Sequence, residues 1–160
     1  MMNNSKFYQC SNYFSFLKNP QKYKGSLPLI LRSSWEIKFV SSYLDINQNI
    51  IEWTSESVIV KYISPIDGKY HRYFIDFSFK AQTNDGSIKE FWVEIKPANQ
   101  CEPPKEPKKK NRGYVNAVQT YLINQAKWDT TKQICENYQK QGKPVEFVVI
   151  TEKDCPWFIK

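Results

Sequence analysis

Three residues of this sequence join a chemistry to a spacing. Asp76 lies in the run His71-Arg72-Tyr73-Phe74-Ile75-Asp76-Phe77, and Glu94 and Lys96 stand two apart in Val93-Glu94-Ile95-Lys96-Pro97. Two carboxylates on neighbouring strands can hold Mg²⁺ or Mn²⁺, hard ions that take oxygen ligands and keep waters for a substrate. Such an ion activates water, orients a phosphate and offsets the charge of a phosphodiester transition state. A lysine two residues from one ligand adds a fixed positive charge for the pentavalent phosphate or the attacking water. The plainer reading is that an acid-x-lysine triplet is short and common, and that a charged strand residue is usually solvated. The surroundings argue against it. Phe91, Trp92, Val93 and Ile95 flank Glu94, and Phe74, Ile75 and Phe77 flank Asp76. Unpaired charges in such apolar strands are costly unless they serve a purpose.

These side chains need a hairpin to bring them together. Tyr70–Lys80 alternates and reads as one long strand, Asn84-Asp85-Gly86 as its turn, and Ile88–Lys96 as the returning strand, ended by Pro97. Alternation puts Ile75, Phe77 and Phe79 on one face with Phe91, Val93 and Ile95. The opposite face receives Phe74, Asp76 and Ser78, with Trp92, Glu94 and Lys96. A fourth candidate, Glu36, stands in the first turn of a helix that begins at Ser33 or Ser34 and ends near Asp45–Asn47. Trp35, Phe39 and Tyr43 form its apolar stripe. Glu36 reads equally well as a third metal ligand or as a carboxylate that favours the helix start.

The other elements follow from local pattern. Residues 1–28 read as an irregular N-terminal arm packing through Tyr8, Phe14, Phe16 and Tyr23, and residues 29–160 as the catalytic domain. Ile50–Thr54 and Ser57–Tyr62 are β-rich and precede a turn at Ser64-Pro65-Ile66-Asp67-Gly68. Cys101–Gly113 carries three prolines and a cationic run and reads as an exposed loop. Tyr114–Gln141 is helical, with a break expected near Trp128 and a buried stripe of Val115, Val118, Leu122 and Ala126. Val145–Thr151 is a last apolar strand. The order predicts an α/β protein, a central mixed β-sheet flanked by helices.

The chain has 160 residues, enough for one domain with a real core, and 41% of them are hydrophobic. With 23 Lys+Arg against 16 Asp+Glu it carries a net charge of +7, which favours a polyanion such as DNA. Arg32, Arg72, Lys105, Lys108, Lys109, Lys110, Arg112 and Lys127 are the expected DNA contacts, and the Cys101–Gly113 loop directly follows Lys96. That loop reads equally as a solvated linker. Gln119, Asn124 and Lys127 fall on the expected polar side of the long helix. His71, the single histidine, reads as a surface or packing residue, and Trp53, Trp128 and Trp157 as packing. Cys10, Cys101, Cys135 and Cys155 form no CxxC pair, which excludes a zinc finger and suits free thiols in a reducing compartment. No apolar stretch resembles a signal peptide or reaches membrane-spanning length, so a soluble protein with no membrane partner is expected.

The spacing Glu36…Asp76…Glu94-x-Lys96 resembles the PD-(D/E)xK nuclease signature. More narrowly, the chain resembles the head-completion nucleases of T-even-type tailed bacteriophages. Arg32-Ser33-Ser34-Trp35-Glu36, Tyr62-Ile63-Ser64-Pro65, His71–Phe77, Val93–Pro97, Asn124-Gln125-Ala126-Lys127-Trp128 and Ile150-Thr151-Glu152-Lys153 carry the likeness. It is also similar to TnsA-like endonuclease subunits in Glu36, Asp76 and Glu94–Lys96. One departure is Ile75, where the signature's name has proline. The resemblance implies a restriction-endonuclease-like core, a divalent-metal site and DNA hydrolysis while phage heads are finished before neck attachment. It implies action in the host cytoplasm or the virion, beside head or neck proteins. Two rivals stand beside this reading. One is a virion head or neck protein that binds DNA through a degenerate site, although such a protein need not keep Asp76, Glu94 and Lys96 together. The other is a transposase-type nuclease subunit, whose added DNA-binding domain finds no room here. A homodimer would suit a double-strand break.

Overall fold

The computed structural model describes residues 12–155. Tyr8, Cys10 and Trp157 lie outside the described residues. Helix α1 (Ser34–Phe39) runs on through a π-helical turn, Val40–Leu44. Among the described residues six strands, one more than expected, follow with one long helix: β1 (Ile50–Ser55), β2 (Ile59–Ile63), β3 (Tyr70–Phe74), β4 (Phe77–Gln82), β5 (Ile88–Ile95), α2 (Arg112–Lys140) and β6 (Val145–Ile150). The main sheet has the order β1-β4-β5-β6. β4 is antiparallel to β1 and β5, and β6 is parallel to β5. The mixed α/β sheet is thus the one expected.

Two cores cover the two faces of this sheet. The first holds Phe77, Phe79, Val93 and Ile95 against Trp53, Phe39, Val40, Leu44 and residues before α1. Phe77 is fully buried, with its ring 5.5 Å from Phe39 and 6.2 Å from Trp53. Cutting it to alanine would cost about 3–5 kcal/mol. The second core holds Trp92, Val145 and Phe147 under Trp128 and Cys135 of α2, closed by Val60, Tyr62 and Tyr73 of β2 and β3. The described part of the arm is joined to the first core. Tyr23 is buried there, while the backbone N–H groups of Lys18 and Asn19 donate to the Asp45 carboxylate at 2.7 and 2.9 Å. Phe14 packs partly against this core, whereas Phe16 is 66% exposed, with its ring 5.4 Å from that of Tyr13.

Three expectations are corrected. The single strand Tyr70–Lys80 is two strands in two sheets: β3 pairs with β2 in a separate hairpin, and β4 pairs with β1 and β5. The alternation breaks at the join, so Ile75 enters the second core while Phe77 enters the first. Helix α2 runs unbroken through Trp128. Its buried residues are Asn124, Trp128, Thr131 and Cys135, whereas Val115 and Leu122 are exposed. The physical reason is length. A 29-residue helix spans about 43 Å at roughly 1.5 Å per residue, while the strands beneath it run about 20–27 Å. The N-terminal turns of α2 outrun the sheet, so their apolar residues meet no core.

Candidate active site

Asp76 stands where the chain changes sheets. The Ile75 N–H donates to Val58 O beside β2 at 3.0 Å, and the Asp76 carbonyl accepts from Glu56 N after β1 at 3.1 Å. The backbone is thereby spent on one side, and the side chain serves the other: Asp76 Oδ2 accepts the Ile95 N–H of β5 at 2.8 Å. A carboxylate oxygen takes the place of a strand acceptor at the end of the β4–β5 ladder. Burial raises the Asp76 carboxyl well above its ordinary range, and the charges of Glu94 and Glu36 push the same way against the Ile95 N–H and Lys96.

Glu94 lies under this point on β5 and is buried, 5% exposed. Its Oε2 accepts from the Tyr73 hydroxyl at 2.7 Å and its Oε1 meets Lys96 Nζ at 3.0 Å. Burial draws the Lys96 ammonium down, but contact with Glu94 and the charge of Asp76 outweigh it and leave the group raised. The Tyr73 phenol is held far above its ordinary value, first by burial and then by Glu94. Lys127 reaches in from α2. Its Nζ lies 5.2 Å from the Tyr73 ring centroid and 5.9 Å from that of Tyr62, contacts of cation–π type. Burial lowers Lys127, while Glu94 and Asp76 draw it up.

Glu36 approaches from the start of α1 through a reciprocal cap. Ser33 Oγ accepts from Glu36 N at 3.2 Å and donates to Glu36 Oε1 at 2.8 Å, and Glu36 Oε2 accepts from Arg32 N at 2.9 Å. Glu36 therefore caps the helix and also lines the cleft. Burial raises its carboxyl above the ordinary value. An open cleft of about 400 Å³ is bounded by Glu36, Asp76 and Lys96 together with Trp35, Pro97 and Gln100. Among the described residues no three acidic, His or Cys side chains close on one point. In this state Glu36 and Glu94 are turned to their own hydrogen bonds.

The expected DNA contacts fall into groups. Lys127 belongs to the site rather than to an outer helix face. Arg32 is clamped by Glu56, with Nε–Oε1 at 2.8 Å and Nη2–Oε2 at 3.1 Å. Arg72 is exposed on β3 over the Phe74 ring. Lys105, Lys108, Lys109 and Lys110 occupy the irregular stretch before α2, Arg112 is the first helical residue, and Lys110 pairs with Glu106 at 3.0 Å. Asn124 is buried rather than on a polar face, and its amide N–H₂ finds no partner. His71 pairs with Asp67 at 2.8 Å, away from the carboxylates. Sequence reasoning missed Tyr73. In an unbroken strand it would face away from Asp76, and only the change of sheet brings its hydroxyl to Glu94.

This geometry can be set beside known proteins. The profile of the TnsA-like endonuclease N-terminal domain matches residues 47–152, which include Asp76, Glu94, Lys96 and Lys127. The chain belongs to the TnsA-like endonuclease family. Its fold is accordingly the restriction-endonuclease-like one, and the family makes it a nuclease. The chain is also 36% identical over 140 residues to the "Head completion nuclease" of Enterobacteria phage T4, covering 84% of this chain and 87% of that protein. No solved structure gives a significant match. No helix of the described residues is long and apolar enough to cross a membrane. Within the family match, the part of the chain that carries Glu36 falls outside the profile.

Proposed function

We propose that this member of the family is a divalent-metal-dependent DNA endonuclease that hydrolyses phosphodiester bonds as phage heads are completed after packaging. The observation that carries the reading is the placing of Asp76 and Lys96 at one cleft, with Glu94 and Lys127 as their close neighbours. Burial, Glu94 and Glu36 raise the Asp76 carboxyl well above its ordinary range, a shift that a bound cation would oppose. The likeness to the head completion nuclease of phage T4 supports the setting, with head or neck proteins as partners, and the host cytoplasm or the virion as the place of action.

The donor set fits Mg²⁺ or Mn²⁺. Magnesium is commonly held by one or two carboxylates, with water and substrate phosphate in the other positions, so a closed protein cage is not required. Asp76 and Glu94 would hold the ion, with Glu36 as a third ligand once its carboxylate swings from its cap. A bound ion would supply charge neutralisation and an acidified water. The protein supplies the rest. Lys96, kept charged by Glu94, faces the cleft where an anionic phosphate would sit. Lys127 adds a second cation from the opposite layer. Tyr73 fixes Glu94, so that its remaining oxygen is presented in one orientation. Arg32, Arg72, Lys105, Lys108, Lys109, Lys110 and Arg112 would guide the DNA by binding its phosphates.

The test is plasmid cleavage by purified protein with Mg²⁺, Mn²⁺ or EDTA. Nicking or linearisation with either ion and none in EDTA is expected. Cleavage that persists unchanged in EDTA would sink the metal-dependent mechanism. DNA binding with no cleavage under any metal would instead favour a virion DNA-binding protein with a degenerate site. Sedimentation during cleavage would show whether a homodimer makes the double-strand break.

A further inference from the structure

The β2–β3 hairpin has one face in the second core and one in solvent. On the solvent face its cross-strand pairs are Ile59–Phe74, Lys61–Arg72 and Ile63–Tyr70. Tyr70 is 74% exposed, and Ile59, Ile63 and Phe74 are exposed as well. This face is therefore apolar and aromatic at both ends and doubly cationic in the middle. Like charges directly opposite each other are unfavourable on a sheet. Among the described residues neither Lys61 nor Arg72 has an ion-pair partner. Arg72 instead lies over the Phe74 ring, 5.5 Å from its centroid. The acid at the hairpin turn, Asp67, is taken by His71.

We infer that this face binds a single-stranded stretch of the DNA substrate, with bases stacked on Tyr70 and Phe74 and phosphates on Lys61 and Arg72. The inference rests on the nuclease reading above and names the form of DNA that reaches the site. Aromatic rings beside a cationic track are what single strands require, because every base offers a π-face and every link a charge. A protein partner would cover the apolar ends but would still need to neutralise two adjacent cations. The groove that adjoins this face, about 580 Å³, runs from Lys61, Ile63 and Tyr70 to α2, and its α2 wall is poorer for a phosphate chain because it carries Asp129 and Glu136 beside Lys132. Position supports the outer face too. Strand β3 runs from Tyr70 to Phe74, roughly 13 Å at about 3.3 Å per residue, and Asp76 follows two residues later. A strand lying along the platform would thus end two residues short of Asp76 in the chain.

The test measures anisotropy of three labelled DNAs with full-length protein in EDTA: a blunt duplex, the same duplex with a single-stranded tail, and the single strand. The wild type should prefer the tailed duplex to the blunt one. Tyr70→Ala should lose about fivefold or more on the tailed and single-stranded DNAs, and bind the blunt duplex as the wild type does. Tyr70→Phe keeps the ring and should bind like the wild type. Lys61→Gln with Arg72→Gln should lower the salt dependence on the single strand by about 0.7 for each phosphate no longer neutralised. Circular dichroism of each variant separates lost binding from lost fold. If Tyr70→Ala and the double variant bind all three DNAs as the wild type does, the platform is wrong, whether or not the enzyme cuts. Equal losses on blunt and tailed DNA would overturn it as well, by showing an ordinary duplex interaction. A wild type that neither binds nor cuts DNA would remove the nuclease reading and the platform with it.

Discussion

The Asp76 carboxylate and the Ile95 backbone N–H are joined at 2.8 Å, so the candidate ligand also ends a sheet ladder. That hydrogen bond holds the side chain in place but does not offset its burial beside Glu94 and Glu36. A carboxyl raised in the folded state binds its proton more tightly there than in the unfolded chain. Folding without metal is then favoured at low pH, and stability falls as pH rises from the ordinary Asp range through the raised value. Asp76→Asn keeps an acceptor for Ile95 and removes the charge. At pH 7 in EDTA it should melt higher than the wild type, by about 2–4 °C per kcal/mol gained, and the gain should vanish near pH 3. The same variant should lose cleavage, and Mg²⁺ should raise the melting temperature of the wild type alone. A variant that melts lower at pH 7 would show that the charge is already balanced by the protein.

Tyr73 and Lys127 are the two supports of the site that come from the second core. Tyr73→Phe leaves Glu94 Oε2 buried without its donor, a loss of about 1.5–3 kcal/mol for a bond to a charged group. Single-turnover cleavage should fall by roughly 10- to 100-fold if that loss is felt in the transition state. Lys127→Met retains the packing on Tyr62 and Tyr73 and removes the charge. It should reduce the cleavage step more than DNA affinity. An affinity loss with an unchanged single-turnover rate would return Lys127 to simple phosphate binding.

Arg32 is held by Glu56 on both oxygens, and both side chains stand near the Glu36 end of the cleft. If Arg32 is to meet a phosphate, it must leave that pair. Glu56→Gln weakens the clamp and removes a negative charge, so DNA affinity should rise, by severalfold at low salt. Arg32→Ala should lower it. Exposed pairs contribute only about 0–1 kcal/mol, so neither change should alter melting by more than a few degrees. Equal affinity in both variants would assign Arg32 a structural role only.

The adjacency of Asp76, Glu94 and Lys96 was legible because a hairpin with an Asn-Asp-Gly turn has few registers, and alternation fixes which residues share a face. The change of sheet at Asp76 was not legible. Phe74, Ile75, Asp76 and Phe77 continue a plausible alternation, and what divides them is pairing to Val58, Glu56 and Ile95, which are distant in sequence. The helix phase of α2 misled for a related reason. Thr131 is buried because its hydroxyl donates to the Lys127 carbonyl at 2.7 Å, leaving its methyl to pack, while Val115 and Leu122 lie beyond the sheet. A pattern of residue types cannot show where the facing surface ends. With the phase corrected, Lys127 moves from an outer face to the rings of Tyr62 and Tyr73, near Glu94 and Asp76. Glu36 stayed ambiguous in sequence for a sound physical reason, since one carboxylate both caps α1 and borders the site.

The stretch before α2 carries Lys108, Lys109 and Lys110, all exposed, and it connects the end of β5 at the cleft to α2. Lys110 pairs with Glu106, an exposed pair that a phosphate can replace at little cost. Neutralising the three lysines together to glutamine should weaken binding to every duplex sequence alike, because phosphates carry no base information. Each phosphate no longer neutralised should reduce the slope of log affinity against log salt by about 0.9 on duplex DNA, so three lysines predict a change of about 2.7. Cleavage at saturating DNA should be much less affected, since these side chains lie outside the Asp76–Glu94 centre. The measurement is a salt titration of blunt-duplex binding for the triple variant beside the wild type. Matching slopes and equal affinity would make the segment a solvated linker. Duplex binding would then fall to the cations of the arm, Lys18, Lys22 and Lys24, of which Lys22 is already engaged with the Asp45 and Asn47 carbonyls at 3.1 and 2.8 Å.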